Sequence, residues 1–122
     1  MTASDLLDLT TLQNLVDLDD GGHELLSEMI GIFREDTPRR IQDILAAAAK
    51  ASAQELSHAA HALKGGAGAL GANAMRHLAA ELEALGRSGS VEVGADLPAR
   101  LEATFQASLA ALDAYLAKLQ TP

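Results

Sequence analysis

Of the four histidines in this 122-residue sequence, His61 has the surroundings that most invite chemistry, the run Ala60-His61-Ala62-Leu63-Lys64-Gly65-Gly66-Ala67-Gly68-Ala69-Leu70-Gly71. We place the run on a helix at about 100° per residue, with Leu63 at the centre of the buried side. Leu56, Ala59, Ala60, Ala67 and Leu70 then fall within roughly 60° of Leu63. His61 falls at about 160° and points outward, with Gly65 and Gly68 beside it on the same face. Three helical glycines (65, 66 and 68) cost about 2–3 kcal/mol relative to alanine, which makes sense if the cleared surface admits something large to the imidazole. Lys64, three residues on, can lean toward His61. An exposed imidazole, an open approach and a nearby ammonium suit the handling of a phosphoryl group. The neutral ring nitrogen is the nucleophile, and the cation offsets charge on the phosphoryl oxygens. With a reference pKa near 6.5, histidine is mostly neutral at pH 7.

Other chemistries fit less well. His58 and His61 form His-x-x-His with Glu55 one turn earlier, and two histidines on one face could begin a metal site. A third and fourth ligand are not visible in the sequence, so His58 reads as a surface neighbour. His23 and His77 read as solvated or rim residues. The glycine run lacks the Gly-x4-Gly-Lys-Ser/Thr spacing of a phosphate-binding loop and lies within a helix, so the chain is not expected to phosphorylate itself from ATP.

The elements that must hold His61 are helices. Residues 1–9 are polar and acidic and are expected to be loosely ordered. Thr10 or Thr11 is expected to cap a short helix to about Leu18, with Leu12, Leu15 and Val16 on one side. Asp19-Asp20-Gly21-Gly22 reads as a turn. Leu25, Leu26, Met29, Ile30 and Phe33 define a helix to about Asp36. Pro38 then begins a second helix to about Ala51, collinear with the first across a kink. Ser52-Ala53-Gln54-Glu55 fits a capping box that opens the His61 helix, and Gly71 closes that helix in a left-handed conformation. A helix from about Asn73 to Leu85 ends at Gly86, followed by the loop around Arg87-Ser88-Gly89-Ser90. The last helix runs from Asp96 or Pro98 to about Leu119, with a seam of Leu101, Phe105, Leu109, Leu112, Leu116 and Leu119. Helical spacing, short turns and the lack of any strand alternation predict an all-α fold, an antiparallel four-helix bundle with an additional short N-terminal helix.

Composition agrees. The length suits one domain spanning 1–122. Apolar residues make up 48% of the sequence and aromatics only 2%, which favours close helix packing. There is no cysteine, which excludes disulfides and thiolate zinc sites. No apolar run is long enough to span a membrane, and the acidic N-terminus does not read as a signal peptide, so a cytoplasmic location is expected. A net charge of −8 disfavours nucleic acid and anionic membranes as partners.

The block His61-x-Leu63-Lys64-Gly65, followed by Leu70-Gly71-Ala72, resembles the histidine-containing phosphotransfer (HPt) family. The resemblance implies a bundle that shuttles phosphate between aspartates of response-regulator receiver domains. It implies His61 as phosphoacceptor, Lys64 as electrostatic helper and Gly65 as the residue that keeps the ring accessible. This chain departs from the family in having Gly66, Ala67 and Ala69 where many members carry Ser or Asn. By resemblance, magnesium comes from the partner receiver and no cofactor belongs to this chain. The implied partners are receiver domains and a sensor histidine kinase, and a monomer is expected. A hydrophobic patch around the histidine would receive the partner. Leu12, Leu15 and Val16 on the short helix, with His58 and Gly68 beside His61, are the expected docking residues. Two other readings are the histidine-bearing substrate domain of a chemotaxis-type or hybrid kinase and a non-catalytic helical adaptor. A start at Met1 and a stop just after the last helix fit a free-standing domain.

Overall fold

The computed structural model describes residues 3–20 and 22–121, and six helices form among them. They are α1 (Ala3–Leu6), α2 (Leu9–Leu18), α3 (Glu24–Ala49), α4 (Ala53–Leu70), α5 (Asn73–Arg87) and α6 (Leu97–Gln120). The last four form the bundle: α4 packs between α3 and α5, and α6 closes the ring against α3 and α5. Short links at 50–52 and 71–72 make α3, α4 and α5 successive antiparallel neighbours. The all-α bundle expected from the spacing is the fold observed.

Each long helix buries one apolar stripe. On α4 the stripe is Leu56, Ala60, Leu63, Ala67 and Leu70, the set that turned His61 outward in the helical projection. Met75, Leu78 and Leu82 answer it from α5, and Leu101, Phe105 and Leu112 from α6. Phe33 of α3 meets Phe105 of α6 with ring centroids 5.5 Å apart and the planes tilted by 55°, an arrangement aromatic pairs favour. Arg34 and Asp113 join the same two helices on the outside, 2.8 Å apart.

Several expectations about boundaries need correction. There is one helix where two were expected, since α3 runs unbroken through Pro38. An interior proline loses a hydrogen bond and crowds the carbonyl four residues back. Here Pro38 is exposed while Phe33, Thr37 and Ile41 lie buried on the opposite side, so continuous packing holds the helix together. The stretch 1–9 is not loose throughout, because Leu6 and Leu7 are buried in the core. Asp8, not a threonine, caps α2: its Oδ1 accepts from the N–H of Thr10 and Thr11 at 3.1 and 3.2 Å. The bonds with Thr11 hold the Asp8 carboxyl below its ordinary pKa.

Ser52 caps α4 as expected, its Oγ accepting from the Glu55 N–H at 3.2 Å. The reciprocal arm of the capping box is absent: the Ser52 N–H donates to the Ala47 carbonyl and the Glu55 carboxylate pairs with Lys50 at 2.8 Å. Gly71 closes α4 at φ +75°, in the left-handed region where glycine is free of strain. Its carbonyl accepts the Asp8 N–H at 2.8 Å, tying the N-terminal arm to the end of the His61 helix. Gly86 does not end α5, which continues to Arg87 with Gly86 buried inside it.

Candidate functional site

His61 stands on the outer face of α4 with 65% of its side chain exposed. Its ring is held from α5. Nδ1 lies 2.6 Å from Oε2 of Glu83, a carboxylate with only 4% of its side chain exposed. The Lys64 Nζ donates to Oε1 of the same carboxylate, and the Arg87 Nη2 stands 3.1 Å from Oε2. One buried carboxylate thus gathers three nitrogen-bearing side chains from two helices.

The electrostatics set the proton positions. The hydrogen bond from Lys64 is the largest influence on Glu83 and lowers its pKa; burial opposes it, and His61 and Arg87 add to the lowering. The result lies below the ordinary carboxylate value of 4.5, so Glu83 is ionised at neutral pH. A carboxylate only accepts hydrogen bonds. The proton of a neutral His61 ring therefore sits on Nδ1, and the lone pair is left on Nε2 at the exposed edge. A neutral ring held this way has one fixed tautomer, with its unprotonated nitrogen facing solvent.

The glycines behave differently from one another. A side chain at Gly65 would meet open space, and Gly65 is exposed beside His61. Gly68 is not bare: a Cβ there would lie 3.1 Å from Cδ of Arg76, whose side chain crosses the position. Arg40 lies against Gly66, with Cζ 3.9 Å from where a Cβ would stand, and its Nη1 donates to the Ala62 carbonyl at 2.9 Å. Of the two glycines expected to clear the approach, only Gly65 faces open space, with the Arg40 guanidinium against Gly66 and the Arg76 stem across Gly68.

Lys64 also differs from expectation. Its ammonium is engaged by Glu83 and reaches His61 only through that shared carboxylate. His58 is exposed but faces the other side, lining an open cleft between α3 and α4 with Asp43, Lys50 and Glu55. Among the described residues no three His, Cys, Asp or Glu side chains stand together as metal ligands.

The docking residues expected on the short helix are overturned. Leu12 and Val16 are buried in the core and Leu15 is half-buried against it, because α2 packs on α3 and α4 instead of lying free. On α2 the exposed large apolar residues are instead Leu9 and Leu18 at its two ends, and a second apolar surface lies between α3 and α4. A groove of about 160 Å³ runs between α3 and α4, lined by Met29, Ile32, Phe33, Leu63, Ala69 and Leu70, with Asp36, Arg40 and Gly66 at its side. Ile32 is 59% exposed there.

Glu83 was the residue the sequence reading missed. It sits four residues after Ala79 and eight after Met75, both buried, so an acid on the apolar stripe of α5 was the available sign. Lone charges are seldom buried without a partner. Arg40, Arg76 and Arg87 carried no comparable mark.

The family model for the Hpt domain matches residues 28–120. The crystal structure of histidine-containing phosphotransfer protein B (HptB) from Pseudomonas aeruginosa PAO1 superposes with a TM-score of 0.78 at 26% identity, covering 92% of this chain and 95% of that one. The histidine-containing phosphotransfer domain of ArcB from Escherichia coli has the same fold, with a TM-score of 0.73 at 16% identity over 95% of this chain and 97% of that one. Comparison with curated protein sequences gives no match. No described helix is long and apolar enough to cross a membrane.

Proposed function

This chain belongs to the Hpt domain family, and on that premise we propose that it is a phosphorelay intermediate that carries a phosphoryl group on Nε2 of His61. The supporting observation is the pairing of an exposed His61 ring with a buried, ionised Glu83. An aspartyl phosphate on a receiver domain presents its phosphorus to Nε2. The Nε2 lone pair forms the P–N bond as the P–O bond to the aspartate breaks, and the aspartate leaves as a carboxylate. Nδ1 keeps its proton throughout. The ring becomes cationic as it is phosphorylated, and the Glu83 carboxylate on Nδ1 balances that charge.

The reverse sequence delivers the group to a second receiver. Lys64 contributes by holding Glu83 in place and by bringing positive charge to the site. Gly65 admits the incoming phosphoryl group. The receiver brings the magnesium and most of the remaining charge stabilisation. Receiver docking falls on the α3–α4 groove with Ile32 at its edge, which borders the outward face of α4 one to two turns beyond His61. A soluble monomer in the cytoplasm, in contact with receivers and a sensor kinase, is the setting this reading implies.

The deciding experiment is transfer from a panel of phosphorylated receiver domains to the wild type and His61→Gln in parallel, with magnesium present. Label that appears on the wild type, is labile to acid and stable to base, and is absent from His61→Gln is the expected result. Label on neither protein across the panel leaves the adaptor as the better account.

A further inference from the structure

Gly86 lies on α5 one turn beyond Glu83, on the side that faces α4. A Cβ at this position would stand 2.7 Å from the Ala53 carbonyl oxygen, 2.7 Å from the Ser57 nitrogen and 2.9 Å from the Ser57 Cβ. Two of those atoms belong to the backbone of the first turns of α4, which cannot swing aside as a side-chain tip can. At Gly68, by contrast, the stem of Arg76 stands between the two helices. The contacts Ser57–Gly86, His61–Glu83 and Gly68–Arg76 fall in one antiparallel register along the two helices. This close backbone approach is therefore three residues from the carboxylate that holds His61.

We propose that Gly86 is a positioning residue for the phosphoryl-accepting histidine, its lack of a side chain letting α5 lie against the α4 backbone so that Glu83 reaches Nδ1 of His61. Glu83 has no slack to reach farther, since its two oxygens are already divided between His61, Lys64 and Arg87. Any side chain at 86 drives the helices apart at the turn next to that carboxylate and releases the ring. Arg87, the following residue, would move with it. The inference takes from the preceding section only that Nε2 of His61 is the reactive atom.

The test uses the full chain with ¹⁵N-labelled histidine. In the wild type the neutral His61 ring should show a protonated Nδ1 and an unprotonated Nε2. Phosphoramidate, which donates its phosphoryl group by breaking its P–N bond with ammonia leaving, should label Nε2. In Gly86→Ala the ring should show the averaged shifts of exchanging tautomers, and labelling should slow by up to about 100-fold, the loss expected from a misplacement on the order of 1 Å. Leu112→Ala, a cavity on α6, controls for stability: it should melt lower with the His61 spectrum unchanged.

Ser57→Val enlarges the opposite side of the same contact, should shift the spectrum in the same direction, and decides the matter if Gly86→Ala does not fold. A folded Gly86→Ala with the wild-type spectrum overturns the proposal. So does a Leu112→Ala spectrum shifted like that of Gly86→Ala. A wild type that phosphoramidate fails to label overturns the phosphoacceptor reading instead, while the ring spectra still decide the role of Gly86.

Discussion

His61 and Glu83 meet Nδ1 to Oε2 at 2.6 Å, the ring largely in solvent and the carboxylate 4% exposed. Burying the acid and exposing the base gives one group a fixed charge and the other a free edge. Replacing the acid by its amide separates these roles. In Glu83→Gln the side chain keeps its shape but can donate as well as accept, so it no longer enforces a proton on Nδ1. Phosphoryl transfer to His61 should fall by about 10- to 100-fold, the range found where a partner fixes a histidine's tautomer. Initial rates of label transfer from a receiver domain check this. A rate equal to the wild type would show that the tautomer is not enforced by Glu83.

The same carboxylate makes stability depend on acid. Lys64 above all holds the folded pKa of Glu83 below 4.5, and Lys50 does the same for Glu55. A group with a depressed folded pKa contributes stability above its unfolded pKa and loses it as the pH falls through the folded value. The melting temperature should therefore be flat above the ordinary carboxylate value and decline as the pH drops below about 4.5. Glu83→Gln should decline less steeply, since the amide does not titrate. Thermal melts across that range for both proteins check the slope.

The fold was largely legible because apolar spacing on helices is a local property. Leu56, Leu63 and Leu70 mark the buried side of α4 in sequence as they do in space, and His61 follows from them. What escaped was tertiary. Pro38 carries a strong local signal to stop, but the packing of Phe33, Thr37 and Ile41 outweighs it. Leu12 and Val16 read as one face of a short, dispensable helix, and nothing local says that α3 and α4 cover that face. Glu83 and Gly86 acquire meaning only once α5 is laid on α4: one is the partner of His61, and the other permits the approach. Gly68 resembled Gly65 until Arg76 was seen to lie across it.

The docking groove can be tested without touching the chemistry. Ile32 is 59% exposed on the opposite helix from His61, so its replacement should barely alter folding. Ile32→Asp places a charge on the apolar edge that a receiver would cover. Half-saturation by the receiver should rise about tenfold or more, the scale of an interface anchor, with the rate of transfer at saturation little changed. An unchanged dependence on receiver concentration would move the docking face away from the α3–α4 groove.

The two ends of the α3–α4–α5 path differ in how well their turns are made. Gly71 leaves α4 at φ +75°, and Ala51 leaves α3 at φ +57°. The left-handed conformation costs an L-residue roughly 1–2 kcal/mol and glycine little. Glycine gives back part of that gain through a freer unfolded chain, about 0.5–1 kcal/mol. Ala51→Gly should therefore stabilise the domain by about 0.5–1 kcal/mol, raising the melting temperature by about 2–6 °C. Ala51 is exposed and outside the His61 site, so transfer should be unaffected. Gly71→Ala should do the reverse and more, since its Cβ would also stand 3.0 Å from the Asp8 carbonyl oxygen. Melts of the two variants beside the wild type test both signs; a loss in Ala51→Gly would mean that the strain at this turn is smaller than the entropy glycine adds to the unfolded chain.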